Sequence, residues 1–421
     1  MYKIVLVNHI FGQESIRKRW EMLAQQHLDI ELTLIGPKEM SYGDSKSLTL
    51  GIHKQFVLEE YHKGNYHVIP VALEYSKHGM WISTEMVSVI KKIQPDLLFY
   101  IGDHYQDSLM QCFECVRKYV PACKVVVFSM RGPHMNILYK GSKTIRQFLA
   151  GLLIYWPRVL KTNKYSDAIF CHYPDAVKCF RKEGYNGPIY IQTQVGVDTD
   201  IYKPDVLIRN QIRDKYQMGD SFVFGSASRY APDKGVDDIL DALPKEGNWK
   251  YLLMGGGTPE EGDHIREKIK KLGIEDKVII TGTVDQSSMY AYWNAVDCAV
   301  HVPRSAKSSV WIETFSLALV QAMATNIPVI GNTSGSVPYQ IGPDGIIVDE
   351  GDVASLNEKM KWIMNHPEES KIIGDAMRWR AVNCFGIQHL DDCIYDIFMD
   401  VIHGVYDKMK FDMASYRVPE K

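Results

Sequence analysis

Apolar positions in the first half of the chain come in short continuous runs, each followed by a stretch with helical spacing. Tyr2–Asn8 (YKIVLVN) ends at the loop His9–Gly12, and Ile16, Trp20 and Leu23 then recur on one helical face. Ile30–Ile35, Val68–Leu73, Leu97–Ile101, Lys124–Ser129, Asp167–His172 and Pro188–Thr193 are the further runs, while Leu109, Phe113, Val116 and Val120 mark another helical face. Apolar runs rich in β-branched residues and alternating with helices predict a parallel sheet buried on both faces. Residues 40–66 show no clear period.

The pattern breaks at residues 194–220, where QVGVDTDIYKPDV leads into a charged stretch, and then resumes. Phe222–Ala227, Trp249–Gly255, Lys277–Gly282, Cys298–Val302 and Pro328–Asn332 are the second series of strands. Helical spacing falls at about 235–243, 260–272, 286–296 and 317–325. Beyond residue 352 the pattern is nearly all helical, with segments at Leu356–Met364, Ile372–Val382 and Leu390–Ile402. The expected organisation is two doubly wound α/β domains, residues 1–205 and 206–385, with a C-terminal helical segment over 386–421. Ligands of such sheets bind beyond the carboxyl ends of the strands.

Composition changes this picture little. The chain has 421 residues, 46% of them hydrophobic and 24% charged, enough to bury sizeable cores without staples. A net charge of −3 gives no global attraction to nucleic acid or to a membrane. Eight scattered cysteines, mostly in apolar or helical contexts, read as core residues of a reduced, cytoplasmic protein. The pair Cys112 and Cys115 lies on a helical apolar face, and no second pair completes a metal site. The apolar N-terminus lacks a basic leader and reads as a strand, and no run of about 18 apolar residues exists to span a membrane.

The chemistry concentrates in the second half. In WIETFSLALVQAMATNIPVIG, the turn Glu313-Thr314-Phe315-Ser316 opens into a helix starting at Leu317. Such a turn aims unpaired N–H groups and the positive end of the helix dipole at one point, which suits a phosphate. Arg229 and Lys234, in SRYAPDKG after the strand FVFGSAS, offer two cations for the same anion. Glu313 can accept hydrogen bonds from sugar hydroxyls, and Gln321, eight positions on, can reach a ribose hydroxyl. Gly255-Gly256-Gly257 and Thr281-Gly282-Thr283 leave strand ends where backbone can approach a ligand. Together these predict a nucleotide-sugar site with Arg229, Lys234 and Glu313 at its centre.

In the first half, His104 follows a strand end, and Arg131 and His134 follow another, so all three are candidates for handling an acceptor. From Arg131 to Tyr165 there are seven Lys or Arg and no Asp or Glu, around the apolar centre Phe148–Trp156. That segment reads either as a helix packed on the sheet or as a peripheral contact with anionic lipid over residues 140–164.

These motifs resemble retaining glycosyltransferase family 4 of the GT-B fold. VGVDTDIYKP is similar to that family's domain-boundary motif, SRYAPDKG to its Arg-Lys-Gly element, and LLMGGG and ITGTV to the next two strand exits. WIETFSLALVQAMATNIPVIG is similar to its segment with two glutamates eight residues apart. The resemblance implies two Rossmann-like domains facing across a cleft, with a C-terminal helix crossing back. It assigns the donor diphosphate to Arg229 and Lys234, the donor sugar to Glu313 and the ribose to the position of Gln321. Gly12, Gly256, Thr283, Thr314, Phe315, Ser316 and Leu317 complete the expected donor site. It implies retaining, metal-independent transfer from a nucleotide-diphosphate sugar to a sugar, lipid-linked or glycoconjugate acceptor, with no cofactor. The chain departs from the family where two glycines of the turn are replaced, so that any positive φ there would be strained, and where Gln321 stands for a glutamate. These departures motivate an alternative, a catalytically weak donor-binding partner subunit. A nucleotide-sugar epimerase of the same architecture is a third reading.

Overall fold

The computed structural model describes residues 1–12, 14–42, 54–78, 80–129, 149, 151–305 and 312–406. Contacts divide the described residues into two units, one comprising Met1–Gln192 and 391–406, the other Thr193–Leu390. The expected boundary at 205/206 differs from the observed division at 192/193, because Val197 pairs with Gly386, within the second unit.

The strands of the first unit are β1 (Tyr2–Val7), β2 (Ile30–Pro37), β3 (Glu39–Tyr42), β4 (Lys54–Val57), β5 (Tyr61–Lys63), β6 (Tyr66–Val71), β7 (Glu74–Tyr75), β8 (Trp81–Ile82), β9 (Leu97–Ile101), β10 (Lys124–Phe128), β11 (Ala168–Cys171) and β12 (Ile189–Ile191). Eight of them form one sheet in the order β12-β11-β10-β9-β1-β2-β6-β5, parallel except for β5. The pair β3–β4 is a separate antiparallel ribbon in the stretch where the sequence shows no period, and β7–β8 is a second one after β6.

Alternation along each strand feeds two cores. Ile4 and Leu6 of β1 join Trp20, Phe99, Phe170 and Phe398 on one face, while Val5 and Val7 join Met86, Leu109, Cys112 and Phe113 on the other. The helix Ile387–His403 supplies Ile394, Ile397, Phe398 and Val401 to the first of these cores. The sequence pattern missed the helix Thr84–Ile93, although Ser83 caps it by accepting from the Met86 N–H. All eight cysteines are buried and reduced, and burial raises the Cys112 thiol well above its usual range.

The second unit holds β13 (Phe222–Ala227), β14 (Trp249–Met254), β15 (Val278–Gly282), β16 (Cys298–His301), β17 (Val329–Asn332) and β18 (Ile346–Val348). All are parallel, in the order β15-β14-β13-β16-β17-β18. Numbered from β13, this is the 3-2-1-4-5-6 order of a Rossmann sheet, whose direction of winding reverses between β13 and β16. Only β18, three residues long, lacks a counterpart in the sequence pattern. The charged stretch after residue 204 forms the helix Val206–Lys215, capped by Asp205. Its apolar residues Val206 and Leu207 are exposed and its buried residue is Arg213, so hydrophobic spacing could not reveal it.

Candidate functional site

The reversal point of the second sheet is where its charged residues gather. Arg229 follows β13 by two residues, and the next turn, Pro232–Lys234, is a single turn of tight helix ending at Gly235. Gly235 has a φ of 69°, and a Cβ there would lie 1.9 Å from the Val302 carbonyl oxygen. Only glycine satisfies both constraints, so the turn carrying Lys234 sits directly on the exit of β16. The Arg304 N–H donates to the Asp233 carbonyl at 2.9 Å and fixes the same contact from the other side.

Lys234 Nζ donates to Glu313 Oε2 at 2.9 Å, and both side chains are largely buried. Burial raises the Glu313 carboxyl above its usual range, with the Lys234 ammonium opposing that shift, Asp233 adding to it and Arg229 opposing it. The Arg229 guanidinium lies 3.7 Å from Asp233 and keeps part of its surface in solvent. Two cations and two carboxylates, Asp233 and Glu313, thus share one strand-end cluster, and the Glu313 carboxyl resists ionisation.

A third strand exit holds Glu313 by its backbone. Ser336 N–H donates to the Glu313 carbonyl at 2.8 Å. Gly335, with a φ of 54°, approaches so closely that a Cβ would sit 2.1 Å from that carbonyl oxygen. Asn332 at the end of β17 donates to the Pro303 carbonyl at 2.7 Å, tying the exits of β16 and β17 together.

Thr314, Phe315 and Ser316 form the turn without any positive φ, so the replaced glycines leave no strain there. Ser316 is extended (φ −104°, ψ 109°) and caps the helix Leu317–Ala324, its hydroxyl accepting from the Leu319 N–H. The buried Gln340 side chain clamps this residue: Ser316 N–H donates to Oε1 at 2.9 Å, and Nε2 donates to the Ser316 carbonyl at 3.0 Å. Among the described residues, the N–H groups of Leu317 and Ala318 have no protein partner, which leaves the first two donors of the helix available to an anion. Phe315 packs its ring edge-on to Phe385, 5.8 Å between centroids. Gln321 is buried within the helix.

Gly256 is where a Cβ would meet Thr283 Oγ1 at 3.0 Å, and Thr283 itself is exposed at the exit of β15. Its neighbour Gly255 has a φ of 136° and abuts the Ser228 carbonyl, so β13 and β14 end in close backbone contact.

The remaining expected residues belong to the first unit. Gly12 lies in the loop after β1. His104 is a core residue, 1% exposed, with Nδ1 3.2 Å from Ser129 Oγ and Nε2 3.4 Å from Glu183 Oε2. In this position its ring faces protein groups and does not present a nitrogen to an acceptor hydroxyl in solvent. Arg131 and His134 lie outside the described residues, as do Lys140, Lys143 and Arg146 of the basic segment. Among the described residues no group of three or more His, Cys, Asp or Glu is placed to hold a metal ion, and no helix is long and apolar enough to cross a membrane.

Sequence reasoning missed Gln340, Gly335 and His301, the last residue of β16. The His301 ring nitrogen Nε2 lies 3.8 Å from Glu313 Oε2. A histidine closing the apolar run CAVHV was the available signal.

Residues 208–379 match the family model of glycosyl transferases group 1. A GDP-mannose-dependent alpha-(1-6)-phosphatidylinositol monomannoside mannosyltransferase of Mycolicibacterium smegmatis is 27% identical over 194 residues, 45% of this chain and 50% of that one. An MMP alpha-(1->4)-mannosyltransferase of Mycolicibacterium hassiacum is 30% identical over 199 residues, 46% of this chain and 44% of that one. The chain thus spans about half the length of the curated relatives it matches. Among solved structures, Anabaena Alr3699/HepE in complex with UDP superposes with a TM-score of 0.67 at 16% identity, covering 95% of this chain and 100% of that one. Sucrose-phosphate synthase from Thermosynechococcus elongatus gives 0.69 at 14% identity, covering 96% and 100%. With two Rossmann-like sheets and these full-length likenesses, the chain has the GT-B fold, and its second unit resembles the group 1 glycosyl transferases over residues 208–379.

Proposed function

We propose that this chain is a retaining glycosyltransferase that moves a sugar from a nucleotide-diphosphate sugar to an acceptor hydroxyl without a metal ion. The observation that carries the reading is the pairing of Lys234 with Glu313 at the reversal point of the second sheet, beside Arg229 and the open N–H groups of Leu317 and Ala318. When the glycosidic bond breaks, its electrons pass to the diphosphate oxygen. Arg229, Lys234 and the helix N–H groups stabilise that charge. Glu313 faces the opposite charge, the positive charge that builds at the anomeric carbon, and accepts hydrogen bonds from the sugar. The acceptor oxygen then bonds to the anomeric carbon on the face the diphosphate leaves, and its proton goes to the departing diphosphate. The Mycolicibacterium smegmatis relative, named as GDP-mannose-dependent, makes GDP-mannose the first donor to test, with a surface polysaccharide, glycolipid or other glycoconjugate as the product. The HepE structure makes a UDP-sugar the second.

The test is a thermal-shift and hydrolysis screen against GDP-, UDP-, ADP-, CMP- and dTDP-sugars with EDTA present. One nucleotide sugar should raise the melting temperature, and Arg229→Ala and Lys234→Ala should each abolish the rise. Stabilisation that disappears with EDTA and returns with a divalent cation would overturn the metal-free site.

A second reading, a donor-binding partner subunit with little turnover, has its own observation. Gln340 occupies the Ser316 N–H and so removes one donor from the anion-binding turn. Turnover by the purified chain alone would sink it.

We propose a peripheral membrane contact as well, through exposed leucines. Leu149, Leu152, Leu153 and Leu160 are exposed beside Lys161, whose side chain is half in solvent. Exposed leucines next to cations suit the boundary of an anionic bilayer. Sedimentation with anionic liposomes should fall several-fold in Leu152→Asp/Leu153→Asp, and undiminished binding would assign these leucines another role.

A further inference from the structure

The proposed roles of Lys234 and Glu313 conflict in one respect. Lys234 is needed at the diphosphate, yet its ammonium is the close partner of a buried carboxylate. A diphosphate that draws Lys234 toward itself leaves Glu313 undercompensated in a site from which water is largely excluded, and an uncompensated buried charge is costly.

His301 stands where that deficit would fall. It is the last residue of β16, two positions after Ala299, so both side chains point to the sheet face that the helix Leu317–Ala324 covers. Its ring is nine-tenths buried. Nε2 is 3.8 Å from the same Glu313 Oε2 that accepts from Lys234, beyond hydrogen-bond range, and has no hydrogen-bond partner among the described residues. A buried ring nitrogen without a hydrogen-bond partner is unusual enough to call for one.

Building on the nucleotide-sugar reading, we propose that His301 is a positioning residue that takes over from Lys234 at Glu313 when a diphosphate occupies the site. The ring carries its proton on Nε2 and moves less than 1 Å to donate to Oε2, a shift on the order of side-chain adjustment. It does so as a neutral group: burial and the nearby Lys234 ammonium hold the imidazolium pKa down, at about 3. A neutral donor leaves the carboxylate its charge and adds no second cation to repel Lys234. Once a donor sugar is present, its hydroxyls also donate to Glu313, so the need for His301 is greatest with the diphosphate product alone. His301 therefore sets how tightly the product is held relative to the donor.

A double-mutant cycle tests this, using GDP with GDP-mannose and UDP with UDP-glucose as probes and calorimetric titration as the readout. In the wild-type background His301→Leu should weaken binding of the preferred nucleoside diphosphate about tenfold, the scale of a lost hydrogen bond to a buried charge. It should weaken the matching nucleotide sugar less. In a Glu313→Gln background the same substitution should change diphosphate binding by less than about twofold, because the charge it serves is gone. His301→Gln, which keeps a donor at the same reach, should restore most of the affinity. Equal losses in both backgrounds, or no loss in either, would overturn the inference while leaving the nucleotide-sugar reading intact. If the wild-type chain binds none of these probes, both fall together.

Discussion

The two sheets reverse their winding in the same way and differ in what their strands deliver at the reversal point. In both, the first strand of the unit lies at the centre and the winding reverses beside it, between β1 and β9 in one and between β13 and β16 in the other. In the second unit these exits carry Arg229, Asp233, Lys234 and, close by, Glu313. In the first they carry His9, Asp103 and His104, with Ser129 and His172 on the adjoining strands. Burial lowers the His9 pKa and holds that of His172 down at about 3, so these rings stay neutral. One sheet end thus gathers two cations with two carboxylates, and the other gathers neutral histidine rings beside Asp103. The fold fixes where a site can stand; the residues on its exits decide the chemistry.

The strongest way to break this contrast is to remove a cation from the cluster of the second unit. Lys234→Ala should lower kcat/KM for sugar transfer by about 10²–10³-fold, as for other preorganised groups facing a developing negative charge. Activity within a few-fold of wild type would remove Lys234 from the site.

Glycine sharpens the comparison next. Gly335→Ala must place a Cβ 2.1 Å from the Glu313 carbonyl in a left-handed backbone, which alone costs about 1–3 kcal/mol. It should lower Tm by several degrees and, by displacing Glu313, weaken nucleotide-sugar binding. In the first unit, Gly102→Ala first meets the amide oxygen of Gln106 at 2.6 Å, the movable end of a side chain. Its Tm should fall less and nucleotide affinity should hold. Equal effects of the two on nucleotide binding would erase the distinction between the sites.

The smallest effect on nucleotide binding is expected at His104. His104→Leu removes the partner of Ser129 and leaves Glu183 buried with less compensation. Stability should fall by about 2–3 kcal/mol in urea unfolding, the scale of an unpaired buried polar group. Nucleotide affinity should not change. A selective loss of nucleotide binding with unaltered stability would return His104 to a binding role.

How much of this was legible depended on how local each feature is. Most strands of the two sheets could be read because, like β9 and β14, they are buried on both faces and so write a continuous apolar run. The turn 313–317 and the pair Arg229 and Lys234 could be read because a helix start and a cation after a strand are local patterns. Val206–Lys215 escaped because its buried contact is an arginine that reaches Asp297. Gln340 escaped because its amide acts on Ser316 from 24 residues away.

The sequence by itself therefore determined the α/β alternation, the two series of strands and the residue types that leave their carboxyl ends, since hydrophobic period and turn chemistry act over a few residues. The tertiary structure alone decided which exits lie side by side. Strand order places β16 next to β13, and that adjacency brings Glu313 to 2.9 Å from Lys234, 79 positions earlier in the chain. It also decided that His104 is core while His301, bland in sequence, faces the charge at the centre of the site. Burial and partnership are properties of the packed molecule, because a side chain's charge state follows from what surrounds it and not from what precedes it.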